Sequence, residues 1–139
     1  MRAAIIAANT NGDTSDTINL AAGNYTLSLV GANEDAAATG DLDITNGSIT
    51  IVGAGVGSTS ITANQIDRVF QVLTGATLTL SELTISGGKA TNGGGIYNSG
   101  TLAVSNATIA DNLAAGVPLN NGGRGAAGGP NGGSGISGG

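Results

Sequence analysis

TLTLSELTISGG, from Thr77 to Gly88, and TLAVSNATIADN, from Thr101 to Asn112, align without a gap over twelve residues at a spacing of 24. Their apolar residues coincide: Leu78 with Leu102, Leu80 with Val104, Ile85 with Ile109. A fixed period in the twenties points to a solenoid, in which each repeat buries its apolar face only against its neighbours. Inside each copy the local period is two, with Leu78 and Leu80 alternating with Thr77 and Thr79, which predicts a strand with one buried face.

The pattern extends in both directions. ITNGSITI from Ile44, YNSGTLAV from Tyr97, the one-residue-longer VLTGATLTL from Val72 and LAAGNYTL from Leu20 share a glycine before an alternating apolar pair, marked by Gly47, Gly100, Gly75 and Gly23. A second series places Ile61, Ile85 and Ile109 at steps of 24. Three short strands are expected per repeat, near 41–45, 48–52 and 59–62, then 69–73, 77–81 and 83–86, then 94–98, 101–105 and 107–110. Gly, Asn and Ser at the junctions tolerate positive φ and turn the corners. VGAGVGSTS, between Ile51 and Ile61, reads as a loop bulging from one corner. Such strands bury little as hairpins. Stacked in parallel at about 4.8 Å they form ladders, which predicts an all-β fold: a parallel β-helix of about four coils spanning 16–115, a cap segment at 1–15 and a Gly-rich tail at 116–139.

Composition narrows the function. The 139 residues include 26 glycines but no histidine or cysteine, and 9 acidic side chains face 4 basic ones for a net charge of −5. Ser-His-Asp triads, cysteine nucleophiles, the usual zinc sites and disulfides are excluded. Four cations, Arg2, Arg68, Lys89 and Arg124, argue against nucleic acid, where Lys and Arg supply most of the affinity. No apolar run reaches the roughly 18 residues of a membrane span. Met1 to Ala8 is too short in its apolar run for a signal peptide and reads as a short helix, and an export signal is expected outside the chain; the Arg2 to Asn9 segment, with Ile5 and Ile6 as its apolar contacts, is placed to cover the first open end. At the other end, GGRGAAGG from Gly122 recurs as GGSGISGG from Gly132 with almost nothing to bury. Such a tail is either a flexible linker or lies against the open end, the flank or a neighbouring subunit.

RAAIIAAN, NEDAAATGDLDI, DRVFQVLTGATLTLSELTISGG and NGGGIYNSGTLAVSNATIADN resemble the secreted bacterial right-handed parallel β-helix proteins whose N-terminal motif reads Cys-Ser-Leu-Arg-Glu-Ala-Ile. The resemblance covers nearly all of 1–115. The Cys-Ser stretch is missing and Ala3 stands where the family has Glu. The resemblance implies a right-handed, pectate-lyase-like fold and an extracellular or cell-surface location; it does not imply catalysis.

Glu34, Asp35, Asp41 and Asp43 are the one concentration of charge. With Leu42 and Ile44 pointing inward, Asp41 and Asp43 share the outer face about 6.6 Å apart. That spacing suits Ca²⁺ or a glycosidase carboxylate pair; a solvated face beside a loop is the plainer alternative, and no metal, cofactor or catalytic residue is assigned. Tyr25, Tyr97 and Phe70 fall at interior or edge positions, so no aromatic platform for a sugar is expected. GAGVG at Gly53 lacks the last glycine of a dinucleotide loop and precedes no helix. Outward Ser48/Thr50 and Thr77/Thr79 form a hydroxyl array of the ice-binding kind, interrupted at Ala103; outward Thr is also what a low-charge strand prefers. The sequence therefore predicts a non-enzymatic extracellular structural or adhesive protein that self-associates, as a homo-oligomer or end-to-end filament, or binds other cell-surface components. The competing class is a polysaccharide-acting enzyme or carbohydrate-binding module.

Overall fold

A computed structural model describes residues 1–116; everything after Gly116, the glycine tail and its packing included, lies outside the described residues. Helix α1 (Arg2–Thr10) precedes eleven strands: β1 (Ser15–Asn19), β2 (Gly23–Thr26), β3 (Leu42–Ile44), β4 (Ser48–Val52), β5 (Thr59–Thr62), β6 (Phe70–Val72), β7 (Thr77–Ser86), β8 (Lys89–Ala90), β9 (Ile96–Asn98), β10 (Thr101–Ile109) and β11 (Leu113–Ala114). The fold is mostly β, and every strand pair is parallel.

The twelve-residue alignment is a physical register. Leu78 faces Leu102, Leu80 faces Val104 and Ile85 faces Ile109 across β7 and β10. The earlier repeat continues the same columns, with Ile49 beside Leu78, Ile51 beside Leu80 and Ile61 beside Ile85. Parallel strands with equal period put identical kinds of side chain over one another, so the inward aliphatics of successive repeats make a continuous core. Ile49, Ile51, Ile61, Leu78, Leu80, Leu83 and Ile85 are all essentially inaccessible to solvent. Each contributes about 1.5–3 kcal/mol of burial.

Two of the expected short strands are one bent strand. β7 pairs with β4 through its first half and with β5 through its second, and the bend falls at Glu82, whose φ is 57°. Asn106 bends β10 at the equivalent place with φ 44°, and its Nδ2 donates to Glu82 Oε1 at 2.9 Å. The largest sheet therefore curls, in the order β1-β4-β7-β5-β2 with β10 added on β7. A second sheet runs β3-β6-β9 and a third pairs β8 with β11.

The first copy stands in a different register from the one its glycine suggests. LAAGNYTL does not lie over ITNGSITI: β1 occupies that place, Ser15 facing Ser48 and Ile18 facing Ile51, while β2 lies on β5 with Tyr25 facing Ile61. Gly23 thus pairs with Thr59 and is not the equivalent of Gly47. Both segments alternate with period two, and alternation alone does not say which strand of a repeat it belongs to.

α1 covers the β1/β3 end. Ile5 and Ala8 are buried there, whereas Ile6, expected as a second contact, is 37% exposed because it lies about a hundred degrees round the helix from Ile5. Polar groups finish the cover. Asn9 Nδ2 donates to the Asp43 carbonyl at 2.7 Å, and its Oδ1 accepts the Thr45 amide at 3.1 Å. Arg2 donates to the carbonyls of Ala37, Thr39, Gly40 and Asp41. The opposite end differs: Val104 and Ile109, which continue buried columns, are 41% and 47% exposed.

Candidate functional site

The acidic residues gather on the outer face of the β3-β6-β9 sheet. Alternation sends Leu42, Ile44, Phe70 and Val72 into the core, where all are buried, so Asp43 and Gln71 face outward in one column continued by Tyr97. The segment 33–40 folds across Asp43. Its turn is organised by Glu34, whose carboxylate accepts the amides of Ala36 at 3.0 Å and Thr39 at 2.8 Å. Burial works against that charge, but the amide donors outweigh it and hold Glu34 below the ordinary carboxylate range. The Ala37 amide donates to Asp43 Oδ2 at 2.7 Å.

Asp41 and Asp43 are therefore not on a solvated face: they are 4% and 0% exposed, covered by this segment and by Arg68. Burial, reinforced by Asp43 and Asp67, pushes Asp41 up to about 7 against the pull of Arg68. Burial also raises Asp43, to about 6, with the Ala37 amide opposing and Glu34 and Asp35 assisting. Asp43 Oδ1 is buried with no hydrogen-bond partner among the described residues.

Arg68 organises the rest. Its Nε lies 3.5 Å from Asp41 Oδ2 and 3.8 Å from Asp67 Oδ1, too long for a hydrogen bond, and Nε finds no such partner among the described residues. Nη1 donates to Gln71 Oε1 at 2.9 Å, and Gln71 Nε2 donates to Asp35 Oδ1 at 3.0 Å. The guanidinium lies 5.0 Å from the Tyr97 ring centroid, within cation–π range. Tyr97 is 39% exposed on this outer face. The expectation of an interior or edge position fails for it; Ile96 takes the inward place, and alternation turns its neighbour outward. Glu34, Asp35, Asp41, Asp67, Arg68 and Gln71 line a depression of about 290 Å³.

A carboxyl held near neutrality beside a guanidinium can hold and release a proton, which is the raw material of acid–base chemistry. Among the described residues no three carboxylates converge in a manner that would hold a metal ion. The signal that marks the site in sequence is charge density at 34–43. Asp67, Arg68, Gln71 and Tyr97 come from later repeats, and that signal does not reach them.

The other candidates occupy separate places. Residues 53–58 form a turn in which the Ser58 and Thr59 amides both reach the Gly55 carbonyl, and β5 follows it rather than a helix. The outward hydroxyls make two columns on the β1-β4-β7-β10 face, Ser15–Ser48–Thr77–Thr101 and Thr17–Thr50–Thr79, the second broken by Ala103. Comparisons with protein-family models, curated proteins and solved structures find no match for this chain.

Proposed function

We propose that this chain is a non-enzymatic extracellular scaffold, structural or adhesive, built as a right-handed parallel β-helix whose stacked coils present a surface poor in charge. The observation that carries the reading is the register. The Ser15–Ser48–Thr77–Thr101 column continues over four strands without a charge, and the Ile49–Leu78–Leu102 column over three, with Asp16 beside Ile49 in β1, and stacking of equivalent positions disfavours like charges one above another. The resemblance of 1–115 to secreted β-helix proteins supports both handedness and location. The buried carboxylates fit a structural role: Asp43 anchors segment 33–40 through the Ala37 amide, and Asp41 is tied to Arg68.

A second reading, an enzyme acting on a polysaccharide or a carbohydrate-binding module, rests on one observation: Asp41, held at about 7, faces Arg68 and Gln71 in an open depression. One experiment separates the two. The protein and its Asp41→Asn variant are incubated with acidic and neutral polysaccharides, and products and bound protein are measured. The scaffold reading expects no turnover and equal retention of both proteins. Product formation or retention lost in Asp41→Asn establishes the alternative.

A further inference from the structure

The two ends of the sheet stack are chemically unequal. At the first, α1 supplies Asn9 and Arg2 to the main chain of β3 and its preceding segment. At the second, β10 is a nine-residue strand, with β7 on one side and no described strand on the other. The Thr101 amide donates back to the Ala76 carbonyl, so by alternation the amides and carbonyls of Leu102 and Val104 point away from β7. Thr101 to Ile109 contains no charged residue and no proline, the devices with which edge strands are ordinarily protected. Inward side chains at this level, Val104 and Ile109, are about half exposed, while their column neighbours Leu80 and Ile85 are inaccessible.

Within this sequence two occupants compete for that edge: residues 117–139 and a second copy. Continuing the columns requires apolar residues 24 positions beyond Leu102, Val104, Ala107 and Ile109. Those positions hold Ala126, Gly128, Asn131 and Gly133, which carry almost no side chain to bury. A second copy presents the missing aliphatics itself. Its own α1-covered end cannot meet β10 without losing the Asn9 and Arg2 bonds, so the edge that fits is another β10.

We infer that two copies pair through their bare β10 edges. The contact is isologous, the two strands running antiparallel about a twofold axis, and it closes as a dimer instead of propagating as a filament. Backbone bonding of Leu102 and Val104 supplies the affinity and the stacked Val104 and Ile109 side chains supply burial, as in strand addition to an exposed edge. This deepens the scaffold reading and rests on it.

The test uses the full chain over a concentration series, with mass from light scattering and amide exchange read residue by residue. The expected result is a monomer–dimer transition, with exchange at Leu102 and Val104 slowed at least about tenfold in the dimer. Ala103→Lys, an exposed outward position on the edge, is expected to weaken dimerisation while leaving exchange at Leu78 and Leu80 unchanged. A nitroxide on Ala103→Cys, in a chain without other cysteines, is expected to report a short distance between copies. Protection of Leu102 and Val104 at every concentration means that the chain's own tail covers the edge and overturns the inference, as does fast exchange at every concentration or an open-ended mass. Fast exchange at Leu78 and Leu80 instead breaks the scaffold reading itself.

Discussion

The side-chain amide of Asn9 hydrogen-bonds the carbonyl of Asp43 at 2.7 Å, standing where a further strand beside β3 would place its amide. The same side chain accepts the Thr45 amide, so one residue satisfies both polarities of the strand edge. Asn9 is itself 8% exposed, which removes water as a substitute partner.

Replacing Asn9 by Ala leaves a buried carbonyl, that of Asp43, and a part-buried amide, that of Thr45, without their partner. Each such group costs about 1–3 kcal/mol, so Asn9→Ala is expected to lose about 2–4 kcal/mol in urea unfolding. Asn9→Asp retains the acceptor for Thr45 and loses the donor to Asp43. Its expected loss in the same measurement is smaller near pH 4 than at pH 8, where a buried carboxylate beside a carbonyl is charged.

Acidity acts on this fold in an unusual direction. The folded-state values of Asp41 and Asp43, about 7 and about 6, lie above the ordinary value of 3.8. Between about pH 4 and pH 7 the folded chain therefore holds more protons than the unfolded chain, and stability falls as pH rises through that window. A tenfold difference in proton affinity between the two states corresponds to about 1.4 kcal/mol. With partial solvent access beside Arg68 taken into account, Asp41→Asn is expected to raise stability at pH 8 by about 1–3 kcal/mol. It also flattens the slope of unfolding free energy against pH, as equilibrium denaturation at four or five pH values would read. A stability that rises from pH 4 to pH 8 would contradict the buried placement of both carboxylates.

The Ile51–Leu80–Val104 column predicts a gradient. Leu80, fully buried between neighbours on both sides, is expected to cost about 2–5 kcal/mol on truncation to Ala. Val104 has a neighbour on one side and is 41% exposed, so Val104→Ala in the dilute protein is expected to cost under about 1 kcal/mol. At concentrations where copies pair, that difference narrows.

How much of this the sequence carries depends on which physical rule writes each feature into it. The Ile61–Ile85–Ile109 column is visible as a period of 24 because stacking requires the same kind of residue at the same place. The register of β1 and β2 is not, because DTIN and NYTL both alternate and neither glycine nor apolar spacing distinguishes them. Asp41 and Asp43 stand out in a chain poor in charge, but their burial depends on segment 33–40 and on Arg68, 27 positions after Asp41. Tyr97 was within reach of the sequence: Phe70 and Val72 face inward, so Gln71 and its column partner Tyr97 face outward. The cap bonds of Arg2 and Asn9 leave no periodic trace, since each satisfies a main-chain group whose position only the folded chain defines.

The loop at 53–58 supplies a contrast between two glycines of similar sequence context. At Gly53 an added Cβ would run into the Glu82 carbonyl and lie 2.9 Å from Leu83 Cβ, because the chain passes directly beside the bend of β7. At Gly57 an added Cβ meets nothing within 4 Å, and φ is not in the left-handed region. Gly53→Ala therefore forces the β4–β7 junction apart and is expected to destabilise by about 1–3 kcal/mol. Gly57→Ala restricts only the unfolded chain and is expected to be neutral or to stabilise by up to about 1 kcal/mol. Equal losses at the two positions in urea denaturation would mean that the loop does not leave the sheet where Gly53 meets Glu82. The predicted difference ties this glycine to a close approach at the bend, not to a phosphate or any other ligand.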